Sequence, residues 1–61
     1  MPLTKEQQAE IKVNLEKAAS SLKEAKADLQ TAKKAGIDVA DQETQLKELE
    51  LKLRKLKAVY G

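Results

Sequence analysis

The order of apolar and polar residues along the chain indicates two amphipathic helices. In the first half, apolar residues recur at alternating steps of four and three, at Ile11, Leu15, Ala18, Leu22, Ala25, Leu29 and Ala32. The second half repeats this spacing, with one glutamine among the apolar positions, at Val39, Gln42, Leu46, Leu49, Leu53, Leu56 and Tyr60. A repeat of 3.5 residues is typical of helices that pack along a shared seam.

The start of the first helix carries a local signal of its own. Thr4 followed by Gln7 matches a capping box, in which each side chain satisfies a backbone N–H group. Glu6 lies in the first turn, where a negative charge is favourable. The sequence therefore predicts a helix that begins near residue 4.

The stretch KKAGIDVAD, residues 33–41, interrupts the helical pattern. Gly36 suits the left-handed position after a helix, and Ile37 is the apolar residue that often packs back on the last turn. Asp38 suits the N-cap of a second helix, and an N-cap at Asp41 is the alternative that would lengthen the loop. A stop and a start so close together favour a reversal of the chain over a kink in one helix.

We therefore predict an all-α antiparallel helical hairpin, a two-helix coiled coil, that forms a single domain over residues 1–61. The helices are expected at about 4–35 and 39–60, joined by a loop at 36–38. With that loop, Leu29 lies level with Leu46, and Leu22 lies level with Leu53, to within one layer of register. The alanines at 18 and 25 then face leucines on the second helix, and a small residue opposite a large one lets helices approach closely.

A two-helix hairpin covers its seam on one side only, which is thin support for 61 ordered residues. The first helix also extends beyond the second, so that Leu3 and Ile11 lack packing partners, and Val13 and Leu51 point outward. We expect self-association into a four-helix bundle, with a dimer favoured and with these four residues as the interface. The architecture resembles that of the small plasmid RNA-regulating hairpin Rop, a likeness of shape without a shared residue motif.

Composition argues against an enzyme. The chain has no His and no Cys, so the commonest general base, the thiol nucleophile and the usual zinc ligands are absent. Two glycines leave no phosphate-binding loop, and the carboxylates fit a helical surface pattern. We predict no catalytic residue, no metal site and no cofactor. The chain also lacks a run of about 20 apolar residues, which leads us to expect a cytoplasmic protein for which membrane binding is disfavoured.

A basic stretch near the end of the second helix is the clearest alternative to a purely structural surface. Lys52, Arg54, Lys55 and Lys57 alternate with apolar residues, which suits binding to nucleic-acid phosphates. Cations also belong in the last turns of a helix, and lysine stems shield apolar seams. A net charge of +2 and a single aromatic residue favour this second interpretation.

Three functions remain open from the sequence. The leading one is a non-enzymatic protein–protein interaction module, acting as a scaffold, an adaptor or a small regulator or inhibitor through a self-associating hairpin. The second is a small basic nucleic-acid-binding regulator of the dimeric four-helix-bundle type. The third is a designed or minimal coiled-coil hairpin without a natural partner.

Overall fold

A computed structural model describes residues 2–61 as two antiparallel α-helices. Helix α1 spans Lys5–Lys34 and helix α2 spans Ala40–Tyr60. The two helices pack against each other, and no strand occurs in the described residues. The predicted all-α hairpin is therefore confirmed.

The capping box at the start of α1 forms as the sequence predicts. The Gln7 N–H donates to Thr4 Oγ1 at 3.1 Å, and the Thr4 N–H donates to Gln7 Oε1 at 3.0 Å. Two of the backbone N–H groups that a helix start leaves without partners are satisfied in this way. These bonds fix the first residue of α1 at Lys5.

Gly36 ends α1 in the left-handed conformation, with φ at +85°. The Gly36 N–H donates to the Lys33 carbonyl at 3.0 Å, and the Ile37 N–H donates to the Ala32 carbonyl at 3.1 Å. This pair of bonds is a Schellman motif. The Ile37 side chain remains 58% exposed.

The start of α2 differs in detail from the prediction. The helix begins at Ala40, with Val39 in the N-cap position, so the connection spans residues 35–39. The Asp38 carboxylate still serves the helix start, because Oδ1 accepts the Ala40 N–H at 3.1 Å. Asp41, the alternative cap, lies in the first turn of α2. Val39 is the apolar residue that seals the tip, since only 6% of its surface is exposed.

The faces that the helices turn toward each other differ from the predicted seam. In α1 the half-buried series passes through Ala19, and Ala18 is exposed. In α2 the buried or half-buried residues after the tip are Glu43, Leu46, Glu50 and Leu53. The predicted seam residues Gln42, Leu49, Leu56 and Tyr60 are exposed instead. Helix α2 is thus rotated so that one column of leucines lies beside the seam and not within it.

Candidate functional site

An apolar groove runs along one flank of the hairpin, and we call it the leucine groove. Its floor is formed by Leu15, Leu22, Leu46 and Leu53, and its polar lining is confined to Ser21 and Lys52. The wall from α1 consists of Ala18 and Ala25, and the wall from α2 consists of Leu49 and Leu56. The groove therefore has one low wall of small residues and one high wall of large ones.

The rotation of α2 creates this groove. Leu49 and Leu56 are 50% and 45% exposed, although each lies three residues after a leucine that the hairpin half-buries. Residues three apart on a helix are neighbours on its surface, so the exposed and half-buried leucines form one continuous apolar strip. The hairpin covers about half the width of that strip, and the rest lies open to solvent.

The opposite flank is closed by two ion pairs between the helices. Lys26 Nζ lies 3.2 Å from a Glu50 carboxylate oxygen, and Lys33 Nζ lies 3.5 Å from Glu43. The lysines are seven residues apart on α1, and their partners are seven apart on α2 in the reverse order, which matches an antiparallel register. Exposed pairs of this kind contribute about 0–1 kcal/mol each. Their larger effect is to make this flank polar while the groove flank stays apolar.

The four predicted interface residues do not line the leucine groove. Val13 and Leu51 are 48% and 54% exposed, and Leu3 is also exposed. The hollow beside Val13 is lined by residues of α1 alone, so Val13 lies on the outer side of that helix. Ile11 is half-buried. Leu49 and Leu56 were not predicted as surface residues because their spacing places both of them in the seam.

The basic stretch of α2 does not form one face. All four of its cations are exposed, and successive helix positions turn by about 100°. Lys52 lies at the leucine groove, whereas Lys57 lines a hollow on the helix pair together with Lys12 and Glu16. The four charges Lys52, Arg54, Lys55 and Lys57 are therefore spread around the helix.

A second basic feature lies on α1, and a search for charge at heptad spacing would have found it. Lys5, Lys12, Lys26 and Lys33 fall in one heptad column, in which Ala19 occupies the middle position. Lys26 and Lys33 are paired with carboxylates of α2. In this column Lys26 and Lys33 are therefore paired with carboxylates, whereas Lys5 and Lys12 lie toward the open end of the hairpin.

Residues 2–61 contain no buried polar or charged side chain and no cluster of three potential metal ligands. No described helix is both long enough and apolar enough to cross a membrane. The leucine groove is a contiguous exposed apolar surface, and large surfaces of this kind mark interaction sites in proteins.

Comparisons with protein-family models, with curated proteins and with solved structures give no match to this chain. Its function must therefore be argued from the geometry of the hairpin, and the leucine groove is the strongest candidate site.

Proposed function

We propose that this chain is a non-enzymatic protein–protein interaction module that binds helical partners through the leucine groove. The observation that carries the proposal is the position of Leu49 and Leu56. Each is about half exposed beside a half-buried leucine, on the flank opposite the two ion pairs.

The shape and chemistry of the groove favour a helix as the ligand. Helix-binding grooves accept apolar side chains at positions i, i+3, i+4 and i+7, and they offer apolar walls at a matching spacing. Here Ala18 and Ala25 are seven residues apart on one wall, as are Leu49 and Leu56 on the other. A partner helix that lies along the groove would insert its apolar residues between these steps.

A photo-crosslinking experiment in cells that express the protein tests this function without assuming the identity of the partner. A photoreactive phenylalanine analogue is placed at Leu56, and in a second variant at Leu51, which is similarly exposed but lies outside the groove. We expect protein adducts from position 56 and few from position 51. Equal yields from both positions, or none from position 56, would remove the groove as the contact surface.

Nucleic-acid binding is the second candidate, and the lysine column of α1 favours it. Lys5 and Lys12 continue the column beyond the two ion pairs, toward the open end of the hairpin. Phosphate binding by such charges weakens steeply as salt rises. The test is fluorescence anisotropy with a generic duplex DNA and a structured RNA at low salt, comparing the parent chain with variants in which Lys5 and Lys12, or the four cations of the basic stretch, become glutamine.

Binding to either nucleic acid that falls with salt and with these substitutions would support the second candidate. An absence of binding at low salt would exclude it. This result is independent of the crosslinking experiment, because neither Lys5 nor Lys12 lines the leucine groove.

A further inference from the structure

We infer that the ligand of the leucine groove is a second copy of this chain, and that two hairpins pair face to face as a four-helix bundle with both tips at the same end. The inference rests on the proposed function, because it identifies the partner for the same groove.

The surface area of the hairpin is the first argument for a second copy. The chain has a mass of 6.8 kDa and exposes 5320 Å². A compact monomer of that mass exposes about 4,000 Å², so the excess is about 1,300 Å² per chain. Two such excesses give about 2,600 Å², which lies within the range of about 2,000–5,000 Å² buried in obligate homodimers.

The dimensions of the hairpin agree with the area. Its radius of gyration is 14.7 Å and its extents are 49 × 15 × 13 Å. A compact domain of this length would have a radius of gyration of about 10.5 Å. Two rods with this cross-section, placed side by side, make a bundle whose ratio of surface to volume is lower by about a quarter.

The interior of one hairpin is the second argument. Leu15 and Val39 are its only buried apolar residues among those described. Chains of this size without disulfides or metals commonly obtain the remaining core from an oligomer. A second hairpin placed on the groove would cover Leu22, Leu46 and Leu53 from the side that the first hairpin leaves open.

The unequal walls of the groove select the orientation. A two-fold axis parallel to the helices places α2 of one copy over α1 of the other, so that Leu49 and Leu56 meet the low wall of Ala18 and Ala25. An axis perpendicular to the helices would instead stack leucine wall on leucine wall and alanine wall on alanine wall. Packing large residues against small ones fills the interface more evenly. The parallel axis also places the tips of both hairpins at one end of the bundle. The extensions of α1, each with its half-buried Ile11, then meet at the opposite end.

Sedimentation equilibrium over a range of micromolar concentrations tests the stoichiometry, with matched variants as controls. The parent chain should have twice its monomer mass of 6.8 kDa. Substituting both Leu49 and Leu56 by glutamine should weaken dimerisation roughly a hundredfold or more, since two leucines from each copy are exposed again. The control exchanges Val13 and Leu51 for glutamine, because they are similarly exposed but lie outside the groove.

A monomeric parent chain overturns the inference, as does a control variant that dissociates as readily as the groove variant. Should the groove variant fail to fold, the mass of the parent chain and the behaviour of the control still decide the question. If the parent chain is monomeric and crosslinks to another protein through position 56, the ligand of the groove is not a second copy, but the proposed function still holds. A monomer without adducts would overturn both.

Distances between spin labels test the orientation. The chain has no native cysteine, so Ile37→Cys gives one label per copy at an exposed position of the tip. Tips at the same end should be separated by roughly 15–25 Å, given helix spacings of about 8–10 Å and the length of the labels. Tips at opposite ends would be separated by about 40 Å, since the thirteen residues from Leu22 to the tip span about 20 Å in each copy. The longer distance would overturn the proposed packing.

Discussion

Replacing Gly36 by alanine tests the claim that a local backbone conformation, and not a clash or a buried contact, sets the end of α1. Gly36 has φ at +85°, and a Cβ atom built at this position meets no atom within 4 Å. The alanine methyl group therefore fits without moving a neighbour, and the whole effect should come from the backbone preference.

The expected magnitude follows from two opposing contributions. An L-residue in the left-handed region costs roughly 1–2 kcal/mol. Alanine also restricts the unfolded chain, which returns about 0.4–1 kcal/mol. The difference predicts that Gly36→Ala lowers the free energy of unfolding by about 1 kcal/mol, while the helices still form.

Urea unfolding followed by circular dichroism at 222 nm measures this change, at one fixed chain concentration because the stability of an associating chain depends on its concentration. Asparagine tolerates the left-handed conformation, so Gly36→Asn should lose less stability than Gly36→Ala. A synthetic chain with D-alanine at position 36 should be at least as stable as the parent. Equal stability of Gly36→Ala and the parent chain would show that the left-handed φ at this position has no energetic cost for alanine.

Three further changes probe single contacts. Thr4→Ala should lower stability by about 1 kcal/mol and speed amide exchange in the first turn of α1, whereas Thr4→Ser should retain both properties of the parent. Lys26→Glu should lower the free energy of unfolding by up to about 1 kcal/mol at low salt, because it places two carboxylates together. In urea titrations, Glu50→Lys on the same chain should restore the lost stability, and 1 M salt should remove the difference from the parent chain. Asp38→Ala should lower the free energy of unfolding by about 0.5–1 kcal/mol, because the Ala40 N–H loses its acceptor. Asp38→Asn should recover most of that stability in the same titrations.

The sequence was sufficient to predict the hairpin because its decisive signals are local. The capping box needs only Thr4 and Gln7, and the left-handed turn needs only Gly36 and its neighbours. Each of these depends on a few consecutive residues, whose geometry does not require the rest of the fold. The loop was predicted less accurately, since Asp38 accepts the Ala40 N–H from two residues before the helix and Val39 takes the buried place at the tip.

The rotation of α2 could not be read from the sequence because two neighbouring columns satisfy the same repeat. Leucines at 46, 49, 53 and 56 alternate in steps of three and four, and so do the positions 43, 46, 50 and 53 that the structure half-buries. The second column contains Glu43 and Glu50, which sequence reasoning rejects as seam residues. Their place depends on Lys26 and Lys33, and those partners can be identified only when both helices are positioned.

The candidate surface was missed for the same reason. The predicted interface consisted of Leu3, Val13 and Leu51, which lie outside the seam, and of Ile11, which extends the seam beyond the second helix. The apolar residues of the leucine groove, Leu49 and Leu56 among them, are all positions of the predicted seam. Whether a seam leucine is covered depends on the rotation of the helix, and a rotation of about half a residue step decides which flank of a two-helix hairpin stays open.

The most direct test of the account is the solvent accessibility of leucine methyl groups in solution, measured by NMR with a soluble paramagnetic agent. Leu49 and Leu56 line the groove, whereas Leu51 is similarly exposed on the hairpin outside it. At chain concentrations where association is complete, the Leu51 methyl groups should relax strongly, and those of Leu49 and Leu56 should be protected. Equal relaxation of all three residues would mean that the groove remains open to water and that no second copy covers it.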